Sequence, residues 1–260
     1  MYDANTRPSS ASACPLRANL CKNPVCGSVP EIAKRSNQDM IALKRGERLT
    51  VRDGACQRIW VVISGVAATC AGMEDGRRQI IGLETPGHVV CGLASVTNSE
   101  NWLEALSDCN ICELSLEGVT GPLDDYPELV SSLFWLIHGR LQAGASQMVM
   151  LGRLDSVERV TLFLLEMAMR IGTAAVGGVR VDLPMTREDV ADYLGLNTET
   201  VSRLFTKLKK RGLVSFPNRS TFVVPEIEAL ERRLPVQYAQ PQYTLPPQVV
   251  AAAQEHYNVR

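Results

Sequence analysis

MTREDVADYLGLNTETVSRLFTKLKKRGLVSFPNRSTFVV, residues 185–224, is the stretch that decides the fold. Thr186 can cap a helix, and Asp189 three residues later makes an acidic form of the capping box. Val190, Tyr193 and Leu194 give that helix one apolar face, and Gly195 supplies the backbone freedom for a tight turn. Asn197 or Thr198 can cap the next helix, in which Val201, Leu204, Phe205 and Leu208 recur at helical spacing. Glu199, Ser202, Arg203 and Thr206 fall on the other side, and Gly212 stops the helix. Leu213–Phe216 and Thr221–Val224 are short β runs around Pro217-Asn218, which read as a hairpin wing. Two short helices, a glycine turn and a wing make a winged helix-turn-helix, whose second helix enters the major groove of double-stranded DNA.

Charge supports this. Between Asn197 and Ser220 stand six bases (Arg203, Lys207, Lys209, Lys210, Arg211 and Arg219) against one acid, Glu199, in a chain whose net charge is −1. A basic stripe on a near-neutral protein is the electrostatic footprint of phosphate binding. A solvated helix end favoured by the dipole would explain the lysines, but not the motif that carries them. Arg203 can contact guanine in bidentate fashion, Glu199 can accept from the cytosine amino group, and Ser202 is adaptable, each good pair being worth about 1–3 kcal/mol of discrimination.

Working outward, residues 155–172 form a second amphipathic helix, with Val160, Leu164, Met167 and Ile171 in register, and Gly172, Gly177 and Gly178 permit a turn after it. Before it, Pro127 suits a first helical turn. Phe134, Ile137, Leu141, Met148 and Leu151 then follow at alternating steps of three and four, with Gly144 filling the missing step. That is the spacing of a coiled-coil seam, on one helix of about 25 residues. Such a helix lies on a neighbouring domain or pairs with a second copy, and its length in a two-domain chain favours the pairing. From about residue 41 to 117, apolar runs (Ile59–Ser64, Val66–Cys70, Gln79–Leu83, Val89–Leu93) are separated by Asp53-Gly54, Ser64-Gly65, Asp75-Gly76 and Pro86-Gly87. Short strands at this spacing indicate a compact β barrel or roll.

The fold class expected is therefore α+β. It comprises a cysteine-containing arm at 1–30, a β-roll at 31–125, whose reading as a sensor domain similar to a cyclic-nucleotide-binding domain rests on the family resemblance that the DNA-binding motif carries, and a dimerisation helix at 126–154. A winged helix-turn-helix follows at 155–233, and a Pro- and Gln-rich tail at 234–260 reads as disordered.

With 45% apolar and 21% charged residues among 260, the composition is that of an ordinary globular protein. No run of about 18 apolar residues and no signal-peptide core is present, which excludes a membrane partner and places the chain in the cytoplasm. Thiols stay reduced there, so the eight cysteines are buried small residues, a redox switch or metal ligands, not a disulfide framework. No P-loop, nucleophile elbow or His-Glu-x-x-His motif occurs, so the chain reads as no enzyme; a metal-binding enzyme is the alternative from a different class.

Three effector classes compete. A cyclic nucleotide needs a base for its phosphate, yet from Gln79 to Gly139 there are nine acids and no Lys or Arg, so none is expected. An iron–sulfur cluster needs Cys thiolates, commonly four; Cys14, Cys21 and Cys26 form a set in the arm. Haem needs an axial ligand, for which His88 after Pro86-Gly87 is the candidate. Cys56, Cys70 and Cys91 sit in or beside β runs and read as structural.

ETVSRL, with TREDVADYLGL ahead of it, closely resembles the CRP/FNR superfamily of bacterial transcription regulators, and the Glu-x-x-Ser-Arg spacing looks like its fumarate–nitrate-reduction (FNR) branch. The resemblance spans about residues 40–230. It implies a β-roll, a long dimer helix and a C-terminal winged helix-turn-helix. It also implies a homodimer on palindromes with TTGAT-like half-sites, contact with RNA polymerase, and base recognition by Glu199, Ser202 and Arg203. Where the CRP branch has an Arg-Ser pair, this chain reads GLASVTNSENWLEAL. FNR proteins carry an N-terminal cysteine cluster and one more cysteine on the roll, and CNICELSL matches the latter site with Cys112 before Glu113. The resemblance thus implies an oxygen-labile 4Fe–4S cluster on Cys14, Cys21, Cys26 and Cys112 and an activator of the low-oxygen response. A regulator that senses redox through thiols or haem is the alternative. The gaps in CPLRANLC and CKNPVC are wider than the tight pair with which FNR clusters begin, and Cys109 stands as a competing ligand. Gly144 occupies the seam where FNR proteins often carry an acid, which implies dimerisation less dependent on oxygen.

Overall fold

The computed structural model describes residues 38–50, 58–91, 101–115 and 127–238. They fall into two compact units. One holds the strand-rich half apart from Arg78–Ile81, with the helical residues up to Leu141, and the other holds Arg78–Ile81 and the described chain from Gln142.

The strand-rich half contains β1 (Gln38–Leu43), β2 (Arg48–Thr50), β3 (Arg58–Ser64), β4 (Ala67–Gly72), β5 (Arg78–Glu84), β6 (Val89–Cys91), β7 (Asn101–Ala105) and β8 (Cys109–Ser115). They form two four-stranded sheets, ordered β1-β8-β3-β6 and β2-β7-β4-β5. Leu43, Leu49, Trp60, Val90, Leu103 and Ile111 belong to one buried cluster fed by both sheets. Each buried indole has its N–H satisfied by a carboxylate, as a buried Trp requires. Trp60 Nε1 donates to Glu113 and Trp102 Nε1 to Glu104, both at 2.9 Å. The Ser64-Gly65 turn signal has a steric cause. Gly65 has φ +83°, and a Cβ there would lie 2.2 Å from the Asp108 carbonyl oxygen.

The expected long helix is α1 (Pro127–Arg153), 27 residues. The side chains of Phe134 and Ile137 lie outside the described residues. Of the rest of the seam, Leu141 and Met148 are 69% and 71% exposed, whereas Leu151 is half-buried. Leu151, three residues past Met148 and so about 60° round the helix from it, faces Gly195, its Cδ2 lying 3.4 Å from where a Cβ of that residue would stand.

The second unit continues with α2 (Ser156–Ile171), β9 (Thr173–Ala175), β10 (Gly178–Asp182), α3 (Arg187–Leu194), α4 (Thr198–Lys210), β11 (Thr221–Val224) and α5 (Ile227–Glu231). Asp155 and Glu158 close a reciprocal capping box at the start of α2, which buries Val160, Phe163, Leu164 and Met167. Fully burying each such side chain stabilises by about 1.5–3 kcal/mol.

The wing differs from expectation. The sheet is β11-β10-β9, so the glycine turn after α2 belongs to a β9–β10 hairpin. Leu213–Phe216 is not a strand and contributes one bridge, Ser215 to Val223. The cause is Phe216, which leaves the ladder to stack on Phe205 with ring centroids 5.0 Å apart, while Pro217 next to it has no N–H to donate. Past α5, Tyr238 is held by Arg170, whose Nε donates to its hydroxyl at 3.2 Å. Arg170 pairs with Glu166 at 2.6 Å, and Tyr193 donates to the same carboxylate at 3.0 Å. Residues 239–260 of the tail lie outside the described residues. Among the described residues no helix is long and apolar enough to cross a membrane.

Candidate nucleic-acid interface

The two helices of the motif are closed by their own sequence. Asp189 N donates to Thr186 Oγ1 at 3.1 Å, and Thr186 N donates back to Asp189 Oδ2 at 2.7 Å, which completes the acidic capping box. Gly195 takes the left-handed conformation at φ +61°, and Leu196 N reaches back to the Ala191 carbonyl at 3.0 Å. Of the two candidate caps for α4, Asn197 holds the position: its Oδ1 accepts from Thr200 N at 2.7 Å. At the far end Gly212 N bonds to Lys209 O and Leu213 N to Leu208 O, the paired closure of a glycine-ended helix.

The faces of α4 fall as the spacing predicts. Val201, Leu204, Phe205 and Leu208 are buried, and Glu199, Ser202, Arg203 and Thr206 are exposed. Arg203 Nη1 lies 3.9 Å from Glu199 Oε1, with side chains 68% and 80% exposed. Such a pair contributes roughly 0–1 kcal/mol, so either partner can be redirected toward an incoming ligand at little cost. All six bases between Asn197 and Ser220 are exposed. Arg219 sits at a wing tip closed by Asn218 Oδ1, which accepts from Ser220 N at 2.9 Å and from its hydroxyl at 3.1 Å.

Arg187, which the motif analysis did not single out, fixes the rotation of α4. Its guanidinium lies 4.1 Å from the Phe205 ring centre and 5.4 Å from that of Phe216. Burial lowers its pKa from the ordinary arginine value. No local signal marks it, because its partners lie 18 and 29 residues ahead in the sequence. The result is an amphipathic helix clamped on its apolar side, with an outward polar trio and basic residues at its C-terminal end. A helix of about 10–12 Å diameter fits a major groove about 12 Å wide.

The cysteine set is only partly within view. Cys14, Cys21, Cys26 and Cys56 lie outside the described residues, and of Cys91 only the backbone is described. On β8, side chains alternate between faces. Cys109 and Ile111 join the buried cluster, so Asn110 and Cys112 point the other way. Cys109 and Cys112 therefore lie on opposite faces of β8. Cys109 lies 3.1 Å from the Val66 carbonyl and 3.2 Å from that of Ser107, and burial pushes its thiol up. Cys112 is 4% exposed and pairs in register with Met40 of β1, two residues after that strand begins. It thus stands beside the point where the segment carrying Cys14, Cys21 and Cys26 enters the sheet. Cys70 is fully buried on β4, as a structural cysteine would be. Among the described residues no group of three or more His, Cys, Asp or Glu is placed to hold a metal ion.

His88 is 1% exposed, with Nδ1 at 3.2 Å from Glu84 Oε2. Burial alone would raise the Glu84 pKa, but the Arg140 charge and the His88 hydrogen bond outweigh it and hold the carboxyl well below the usual range.

Comparison with known proteins gives the same architecture. Residues 40–125 match the cyclic nucleotide-binding domain family, and residues 158–233 the Crp-like helix-turn-helix domain family. The chain is 33% identical over 232 residues to the nitrogen fixation regulation protein FixK of Azorhizobium caulinodans, covering 86% of this chain and 93% of that one. It is 28% identical to the transcriptional activator protein anr of Pseudomonas aeruginosa, over 77% of this chain and 81% of that one. The solved structure of FixK2 from Bradyrhizobium japonicum superposes with a TM-score of 0.67 at 27% identity, covering 77% of this chain and 99% of that one.

Proposed function

The chain belongs to the CRP/FNR family of transcription regulators, and from that premise we propose that it is a transcription activator that binds TTGAT-like palindromes as a cytoplasmic homodimer. The observation that carries this is the outward trio Glu199, Ser202 and Arg203 on a helix whose other face is fully packed. Arg203 reads guanine, Glu199 the cytosine amino group, and Ser202 adapts between them. Lys207, Lys209, Lys210, Arg211 and the wing-tip Arg219 hold the phosphates, which supply affinity without sequence information. Two copies place two such helices one DNA turn apart, and the bound dimer engages RNA polymerase. Relatives named as activators support the sign of regulation, and none of the roles assigned requires an enzyme.

The sensor reading is an oxygen response through Cys14, Cys21, Cys26 and Cys112 as ligands of a 4Fe–4S cluster. Its support is the place of Cys112, on the face away from the buried cluster and beside the entry of the arm. Eleven residues lie between Cys26 and Gln38, and about 3.3–3.6 Å per extended residue gives the arm ample reach. When bound, the cluster would supply an oxygen-labile group; the chain's own part is to present four thiolates and to keep Cys109 out of the set. The acids and missing bases of residues 79–139 argue against a cyclic nucleotide in this roll.

Fluorescence anisotropy with oxygen-free protein tests the first part: preference for a TTGAT-type palindrome over random duplex at physiological salt is expected, and equal affinity overturns it. Iron and sulfide analysis of the wild type and Cys112→Ala tests the second. Stoichiometric iron and sulfide lost in the variant are expected. A colourless wild type without iron overturns the cluster and leaves the DNA reading standing, and a Soret band would point to haem instead.

A further inference from the structure

Glu84 is a carboxylate with no exposure at all, inside a roll whose function assigns it no role. Three polar atoms make four contacts with it. Arg140 Nη1 lies 2.8 and 3.0 Å from its two oxygens, the Thr69 hydroxyl donates at 2.8 Å, and His88 Nδ1 sits at 3.2 Å. Gly82 makes the room: a Cβ there would fall 2.7 Å from Glu84 Oε1. A buried carboxylate is tolerated only when it is paired and hydrogen-bonded, and here the partner is recruited from another element. Residues 79–139 offer no Lys or Arg, and the first base after them, Arg140 on α1, is the one that pairs.

The position of Arg140 on its helix gives the pair a consequence. At about 100° per residue, Leu141, Ala145, Met148 and Gly152 fall in one narrow stripe roughly a quarter-turn or more from Arg140. All four are exposed. The stripe alternates large and small side chains, Leu and Met against Ala and Gly, the relief that lets two helices approach closely.

The geometry points to Glu84 and Arg140 as a positioning pair: an internal carboxylate that sets the rotation of α1 on the roll and so turns the Leu141–Ala145–Met148–Gly152 stripe outward, where a second copy of the chain meets it. This rests on the homodimer reading above. Thr69 and His88 hold the carboxylate in place.

A double-mutant cycle on full-length protein tests the pair with Glu84→Gln, Arg140→Met and the combination. Sedimentation velocity over a range of concentrations reads the dimer dissociation constant, and circular dichroism reads folding. Each single variant is expected to weaken the dimer at least about tenfold, with the combination no weaker than the worse single variant, as coupled residues behave. Singles within twofold of the wild type, or effects that simply multiply, overturn the pair. Should Glu84→Gln fail to fold, Glu84→Asp keeps the charge on a shorter stem; weakening between wild type and Arg140→Met supports the pair, and an unchanged constant overturns it. The homodimer reading has its own readout. Hydroxyl-radical oxidation of Met148 should be suppressed in the wild type as concentration rises. A wild type that sediments at 28.5 kDa with Met148 freely oxidised removes the dimer and not the pair. Amide exchange around Arg140 then decides: faster exchange in Glu84→Gln supports the pair, equal exchange overturns it.

Discussion

The outer face of α4 and the interior of the roll treat charge in opposite ways. On α4, Glu199 and Arg203 lie 3.9 Å apart and mostly in solvent. In the roll, Glu84 is fully enclosed and Arg140 lies 2.8 Å from it. Both contain one acid and one arginine, yet water decides what each is for. Exposed charges interact weakly with one another through the high dielectric and stay available to a partner with many phosphates. Enclosed charges interact strongly and are committed to each other, so they report on the fold and not on a ligand. A charge pair in a regulator of this kind is thus read by its solvent exposure before its residue types.

That contrast is most exposed to failure at Arg140. Arg140→Met leaves Glu84 buried without its main counter-charge, and removing one partner of such a pair typically destabilises by about 3–5 kcal/mol. Urea unfolding should show a loss of that size. Glu84→Met combined with Arg140→Met should recover most of it, because replacing both partners by apolar groups is often neutral. A wild-type midpoint for Arg140→Met would show that the enclosed pair is no stronger than the exposed one. The next largest effect belongs to the other region. Arg203→Ala should lower the preference for the palindrome over random duplex by about 1–3 kcal/mol, roughly 5- to 150-fold. Thermal stability should stay within about 0.5 kcal/mol of the wild type, the usual range for surface substitutions. A large stability loss there would mean that the outer face of α4 also belongs to the fold.

The two regions also differ in how much of them can be read without a structure. The α4 unit was legible because its causes are local. Thr186 and Asp189, Asn197 and Thr200, Gly195 and Gly212 all act within four residues, and the 3.6-residue period sorts Val201, Leu204, Phe205 and Leu208 from Glu199, Ser202 and Arg203. Glu84 and Arg140 stand 56 residues apart, and nothing in their spacing announces a pair. The Arg187 clamp on Phe205 and Phe216 is hidden for the same reason. Cys109 and Cys112 pose a different problem. Three apart in the sequence they compete for one ligand position, and only the odd step along a strand, which sends them to opposite faces with Cys109 in the core beside Ile111, sets them apart. The β9–β10 hairpin escaped because its strands are three and five residues long around two adjacent glycines, too short for alternation to show. At the cap, Asn197→Ala should reduce stability of the second unit by about 1 kcal/mol. A loss of only a few tenths would return the cap to Thr198.

The smallest expected change is also the one that separates phosphate from base contacts within the exposed region. Lys209 and Lys210 lie in the last turn of α4, exposed, where the helix dipole favours cations. Helix-end lysines that only satisfy the dipole would leave DNA binding untouched when removed. If Lys209 neutralises a phosphate, Lys209→Ala removes one released counterion, and the slope of log K against log salt should fall by about one. The loss should be equal for the palindrome and for random duplex, because phosphates carry no sequence. Arg203→Ala should do the reverse, narrowing the gap between the two duplexes while keeping most of the slope. An unchanged slope in Lys209→Ala would assign that lysine to the dipole and move the phosphate contact to Arg211 or the wing-tip Arg219, without altering the role of the trio that reads the bases.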